Sequence, residues 1–223
     1  MFIFDLDGTI FDVSEKYYHV YVQSLASAGG DVLSKQEYWD MKRKKITDQD
    51  LLAKTQSQHC LEKYQQSWNL LIEDKNFLKY DEVWKELTSV YQQVFEHHPA
   101  ILVTLRRSPQ LVHWQLQDKG ILSWFRFVLS RPSKELLKES WKAKVQMLKD
   151  SKVLKDKNMA ECRYVGDSEA DILAGKHLGM KTIAVSFGIR DNELLSALEP
   201  DVLLAHPSEL ANYLTQECSI NTL

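Results

Sequence analysis

Phe2-Ile3-Phe4-Asp5-Leu6-Asp7-Gly8-Thr9 opens the chain with a short apolar run that ends in two carboxylates and a glycine. Met1 to Phe4 reads as a β-strand too short to form a sheet of its own. Asp and Gly are turn formers, so Asp5 to Gly8 alone would pass for a turn. A second stretch changes that reading. Tyr164-Val165 is another β-rich run, it ends in Gly166-Asp167, and Asp171 follows four residues later. In an open parallel sheet, ligands bind at the carboxyl edge of the strands. Two strands that each deliver carboxylates to that edge describe a hard-metal site, and oxygen ligands with room for water and phosphate suit Mg²⁺.

Further along, Ala100-Ile101-Leu102-Val103, Phe125 to Leu129, Thr182 to Val185 and Asp201 to Leu204 also read as strands. Helical spacing fills the gaps: Val83, Leu87 and Val94 before one strand, Ile172, Ala174 and Leu178 after Asp171. Strand alternating with helix predicts an α/β domain whose parallel sheet is covered on both faces.

Between the first strand and Tyr80 the pattern is helix after helix. Ser14 is placed to cap a helix that stops at Gly29-Gly30, Ser34 and Glu37 match a capping box, and Thr47 is placed to start a third helix. A fourth carries Leu61, Tyr64, Trp68, Leu71 and Ile72. The expectation is a catalytic α/β core from residues 1–12 and 80–223, split after its first strand by a helical insertion over residues 13–79.

The 223 residues carry 28 Lys and Arg against 31 Asp and Glu, a formal charge of −3. That balance argues against a nucleic-acid partner held by bulk positive charge. Hydrophobic residues at 44% are enough for a sizeable core. No apolar run approaches the roughly 20 residues of a membrane-spanning helix, so no membrane partner is expected. Asp5 and Asp7 fall where a signal peptide would need its apolar region. Cys60, Cys162 and Cys218 are too few and too scattered for a disulfide framework. Together these predict a cytoplasmic protein. Oligomeric state is not legible.

Taken in order, D-x-D-G-T, a strand ending in Thr104, a helix lysine and G-D-x-x-x-D make this chain resemble the haloacid dehalogenase (HAD) superfamily, and within it the phosphoglycolate phosphatase-type hydrolases. The likeness runs through the core, including Leu178-Gly179-Met180 and Val185-Ser186-Phe187-Gly188, and leaves the helical insertion without a motif. It implies a Rossmann-like core with an all-α cap and a Mg²⁺-dependent phosphatase acting on a small phosphorylated metabolite. It also implies that Asp5 is the nucleophile, forming an aspartyl-phosphate, and that Asp7 is the general acid and base. Asp5, Asp7 through its main-chain carbonyl, Asp167 and Asp171 form the implied metal set.

Thr104 and the amides after it resemble the phosphate-binding second motif, although Leu105 stands where the family usually has Asn. Arg106 and Arg107 are candidates to add positive charge near the phosphate, with a solvated surface position the alternative for at least one of them. For the lysine of the third motif, Lys134, Lys138, Lys142 and Lys144 are all available. Trp141, Val145 and Leu148 mark a buried stripe, and Lys144 has Leu148 at i+4 whereas Lys142 has Gln146, so Lys144 is preferred. The basic run Lys42 to Lys45 either sits solvated at a helix end or, chiefly through Arg43, meets an anionic leaving group. A sugar phosphomutase on the same core and an inactive binding protein of this fold are the alternatives; the intact motifs speak against the latter.

Overall fold

The computed structural model describes residues 1–98, 100–130 and 139–220. The chain divides into two compact units, Met1–Phe11 with Val83–Leu223 and, between them in sequence, Asp12–Glu82. It begins with β1 (Phe2–Phe4) and the two-residue β2 (Phe11–Asp12). Helices α1 (Ser14–Ala28), α2 (Lys35–Arg43), α3 (Asp48–Ala53), α4 (Leu61–Leu71) and α5 (Lys75–Leu78) follow. The short β3 (Glu82–Val83) pairs with β2, and α6 (Lys85–His97) comes next. The remaining elements alternate: β4 (Ala100–Thr104), α7 (Pro109–Asp118), β5 (Phe125–Ser130), α8 (Ser140–Asp150), β6 (Arg163–Gly166), α9 (Glu169–His177), β7 (Lys181–Val185), α10 (Asn192–Ser196), β8 (Val202–Leu204) and α11 (Pro207–Ile220).

In the larger unit, six strands among the described residues form one sheet in the order β5-β4-β1-β6-β7-β8, and each neighbouring pair is parallel. This is the α/β sheet expected from the strand and helix alternation. β1 lies at its centre, with Ile3 beside Ile101 of β4 and Tyr164 of β6. Successive side chains of β1 serve opposite faces. Ile3 joins Val103, Val145, Leu148, Tyr164 and Met180 in one core. Phe4 meets Tyr91 and Phe95 edge-on at 5.8 and 5.3 Å on the other. Burial on both faces is why this strand is apolar throughout rather than alternating.

The helical unit is organised by its caps and its rings. Ser34 and Glu37 form the capping box that starts α2, and the Thr47 hydroxyl accepts from the Asp50 amide at 3.1 Å. Gly29 adopts φ 80 at the end of α1, the left-handed conformation that glycine reaches without a Cβ penalty. The start of α1 differs from expectation. Ser14 makes no cap; the Asp12 carboxylate accepts from the Ser14 amide at 2.9 Å, because Asp12, two residues back, faces the first free N–H of the helix. Tyr21 stacks on Tyr38 with centroids 4.3 Å apart, in a core completed by Leu25, Leu51, Leu52 and Tyr64. Lys16 and Asp81 form a fully buried ion pair at 2.9 Å in the same unit. Among the described residues no helix is long and apolar enough to cross a membrane.

Candidate active site

Three adjacent strand ends build the site. β1 passes its direction on to Asp5, whose amide still donates to the Val165 carbonyl of β6 at 3.0 Å. The chain then curls, with the Ile10 and Phe11 amides both donating to the Leu6 carbonyl at 3.0 Å. Gly8 allows the curl. Its φ is 83, and a Cβ there would run into the Asp167 carboxylate. Gly166 is required for a similar reason, since a Cβ would occupy the space of the Asp171 side chain.

Asp5, Asp167 and Asp171 each offer an oxygen within 4.8 Å of the others, and all three are buried. Lys144, on the buried face of α8, donates to Asp5 and to Asp171, the latter at 2.5 Å. The second Asp171 oxygen accepts from the Ser168 hydroxyl at 2.6 Å and from its amide at 3.1 Å. Asp171 thus closes the capping box of α9 and anchors Lys144 at once. Asp167 accepts from the Ile189 amide at 2.6 Å through one oxygen; the other is buried and accepts no hydrogen bond from a described residue.

The electrostatics follow from this crowding. Burial pushes the Asp5 carboxyl up to about 7, against the opposing pull of Lys144, and Asp171 and Asp7 add to the rise. Burial also holds Asp167 well above the usual carboxylate range, with the charges of Asp5 and Asp171 contributing. For Lys144 burial works against the ammonium, but Asp171 and Asp5 outweigh it and leave its pKa well above the ordinary lysine value. Three buried carboxylates share one buried ammonium, and that excess of negative charge, with a bare oxygen on Asp167, fits a divalent cation with oxygen ligands.

Thr104 ends β4 with its side chain buried, and its hydroxyl oxygen accepts from the Arg106 amide at 3.3 Å. Leu105 lies half-buried in the turn that follows, and Arg107 is exposed. Arg106 turns onto Asp7, with Nε to Oδ2 at 2.8 Å and Nη2 to Oδ1 at 2.6 Å, while Nη1 donates to Gln115 of α7. Lys142 lies on the exposed side of α8, paired with Glu139 at 2.6 Å. Lys134 and Lys138 lie outside the described residues. Arg43 is half-buried in the last turn of α2, within the helical unit, and Lys42 beside it lies 4.9 Å over the Trp68 ring.

Four contributors escaped the sequence reading: the pairing of Arg106 with Asp7, Gln115, the Ile189 amide and Ser168. Only Ser168 had a signal, since Ser168-x-x-Asp171 is itself a capping-box pattern.

A family model for haloacid dehalogenase-like hydrolases matches residues 2–185. The chain belongs to the haloacid dehalogenase-like hydrolase family. Within this hydrolase family it is 25% identical over 214 residues to the pyrophosphatase PpaX of Bacillus cereus, covering 93% of each chain. Its fold matches that of a haloacid dehalogenase-like family hydrolase from Streptococcus pneumoniae with a TM-score of 0.69 at 14% identity, over 95% of this chain and 96% of that one. A predicted phosphoglycolate phosphatase from Haemophilus somnus gives the same TM-score at 16% identity, over 96% of both chains. The Rossmann-like core of the family is therefore the fold of the larger unit.

Proposed function

We propose that this hydrolase is a Mg²⁺-dependent phosphatase that acts on a small phosphorylated metabolite through an aspartyl-phosphate on Asp5. The observation that carries the reading is the convergence of Asp5 and Asp167, at adjoining strand ends, with Lys144 of α8, one Asp167 oxygen being buried and without a donor among the described residues. A buried acceptor left bare is costly, and a hard cation satisfies it. Asp5, Asp167 and the main-chain carbonyl of Asp7 would hold the ion, with Asp171 behind them fixing Lys144. When bound, Mg²⁺ supplies positive charge to the phosphate oxygens.

In this reading a carboxylate oxygen of Asp5 attacks phosphorus, the bond to the leaving oxygen breaks, and Asp7 gives that oxygen its proton. Asp7 then takes a proton from an incoming water, whose oxygen bonds to phosphorus as the Asp5 bond breaks. Inorganic phosphate leaves, and both carboxyl groups return to their starting states. Lys144 offsets the negative charge that gathers on Asp5 and the phosphoryl group. The Thr104 hydroxyl and the Leu105 amide hold phosphoryl oxygens. Asp12–Glu82 is read as the cap that selects substrate, with Arg43 as its cation toward an anionic leaving group. Three free cysteines accord with a cytoplasmic setting.

The test is phosphate release from a panel of phosphorylated metabolites, with pyrophosphate included because a relative carries that activity in its name. Turnover is expected with Mg²⁺ and is lost on chelation. Asp5→Asn should retain the fold, release no phosphate and trap no acid-stable phosphoprotein. Near wild-type turnover by Asp5→Asn would remove the nucleophile from this scheme.

A further inference from the structure

We infer that Arg106 is a positioning residue for Asp7, fixing the plane of that carboxylate for proton transfer to the leaving group. The inference rests on the phosphatase reading above, and its geometry stands on the contacts of Arg106 with Asp7 and Gln115.

Asp7 sits in the curl after β1, beside a glycine, with its side chain 18% exposed. A short carboxylate in such a curl takes its orientation from the donors that meet it. Arg106 meets it through two parallel bonds from a planar guanidinium, the arrangement that sets direction as well as distance. The guanidinium meets two further groups, and the backbone of Arg106 is tied as well. Gln115 accepts from Nη1, the Phe11 ring lies 6.0 Å from its central carbon, and the Arg106 amide is tied to the Thr104 hydroxyl. Gln115 is fully buried on α7, a helix whose start is fixed by Ser108 accepting from the Leu111 amide and by Pro109 in its first turn.

The chain of contacts Gln115, Arg106, Asp7 therefore ties the residue that handles the proton to the turn that follows Thr104. Each carboxylate oxygen has two lone-pair positions; in the phosphatase reading the one not facing Arg106 carries the proton that Asp7 gives the leaving oxygen, and later takes one from the water. Arginine keeps its proton at any working pH, so it orients Asp7 without competing as an acid. A lysine could match the charge but not the two-pronged geometry.

The experiment compares an alkyl phosphate, whose leaving oxygen needs a proton, with p-nitrophenyl phosphate, whose leaving oxygen does not. Arg106→Lys should lower kcat for the alkyl ester by about 10²-fold, within the range of general acid–base catalysis, and leave the p-nitrophenyl phosphate burst within about threefold. Adding Arg106→Lys to Asp7→Asn should cost nothing more. Gln115→Leu, remote from Asp7, should show the same substrate pattern at smaller amplitude. Equal losses on both substrates with a raised KM would mean that Arg106 binds the phosphate instead, and additive losses in the double variant would mean that the two residues act independently; either overturns the inference. A readout without turnover is the ¹⁵N resonance of Arg106 Nε, expected to move in Asp7→Asn. An unmoved resonance overturns the clamp whatever the activity, whereas a wild-type protein that releases no phosphate from any substrate overturns the phosphatase reading alone.

Discussion

The Lys144 ammonium lies 2.5 Å from the Asp171 carboxylate, although 27 residues separate them in the chain. Asp171 is fully buried and its other oxygen is spent on Ser168, so it cannot swing away. Lys144 is held charged and aimed at Asp5 by a partner that stands behind it. Lys144→Met should therefore lower turnover by about 10²- to 10³-fold, the scale of losing one oriented electrostatic group in a dry site. Lys142→Ala, which removes an exposed pair with Glu139 and a contact over the Trp141 ring, should leave steady-state kinetics unchanged. Equal losses in the two variants would contradict the assignment.

In the metal site proposed above, metal and proton would compete for the same carboxylates. Asp5 moves from 3.8 in the unfolded chain to about 7 in the fold, and Asp167 rises too. Between those values the native state binds more protons than the unfolded state, so metal-free stability falls as pH rises from about 4 to 7. In the proposed site Mg²⁺ would restore what deprotonation costs. The Tm gain on adding Mg²⁺ should accordingly be larger at pH 8 than at pH 5, as read by thermal melts at constant ionic strength. A gain independent of pH would contradict the raised carboxyls.

Gly8→Ala tests the curl after β1. A methyl there meets the Asp167 carboxylate and also forces a residue with a Cβ into φ 83. The left-handed backbone alone costs roughly 1–2 kcal/mol, and displacement of Asp167 should weaken Mg²⁺ binding as well. Urea titrations with and without Mg²⁺ separate the two: destabilisation in both, with a smaller metal-dependent gain in the variant.

In the helical unit, Lys16→Met leaves Asp81 buried beside an apolar side chain. The expected loss is about 3–5 kcal/mol, the range for breaking a buried pair from one side. Lys16→Met with Asp81→Leu should recover much of it, because the charges go together. Chemical denaturation of the full chain measures both.

Residues that share a strand end were legible in the sequence because covalent continuity carries them there. Asp5 and Asp7 follow β1, Asp167 follows β6 and Thr104 closes β4, so recognising the strands also located the side chains. Lys144 was legible through the helical period of Trp141, Val145 and Leu148. The pairing of Arg106 with Asp7 was not, since 99 residues separate them and no periodicity encodes where a long side chain turns. The two-residue strands β2 and β3 are shorter than any pattern that could announce them. Ser14 misled because Asp12 and Ser14 are both good caps, and only the backbone path decides which one faces the free amide.

The central place of β1 also dictates an order of events at the ribosome. The strand is made before its neighbours β4 and β6, which begin only at Ala100 and Arg163. At ordinary synthesis rates of about 5–20 residues per second, the strand that leads into Asp5 waits several seconds or longer for a partner, while the helices after it need only nearby sequence to pack. That apolar segment must stay unpaired through the interval, and it is a part of this chain where a chaperone or an aggregate would compete with folding.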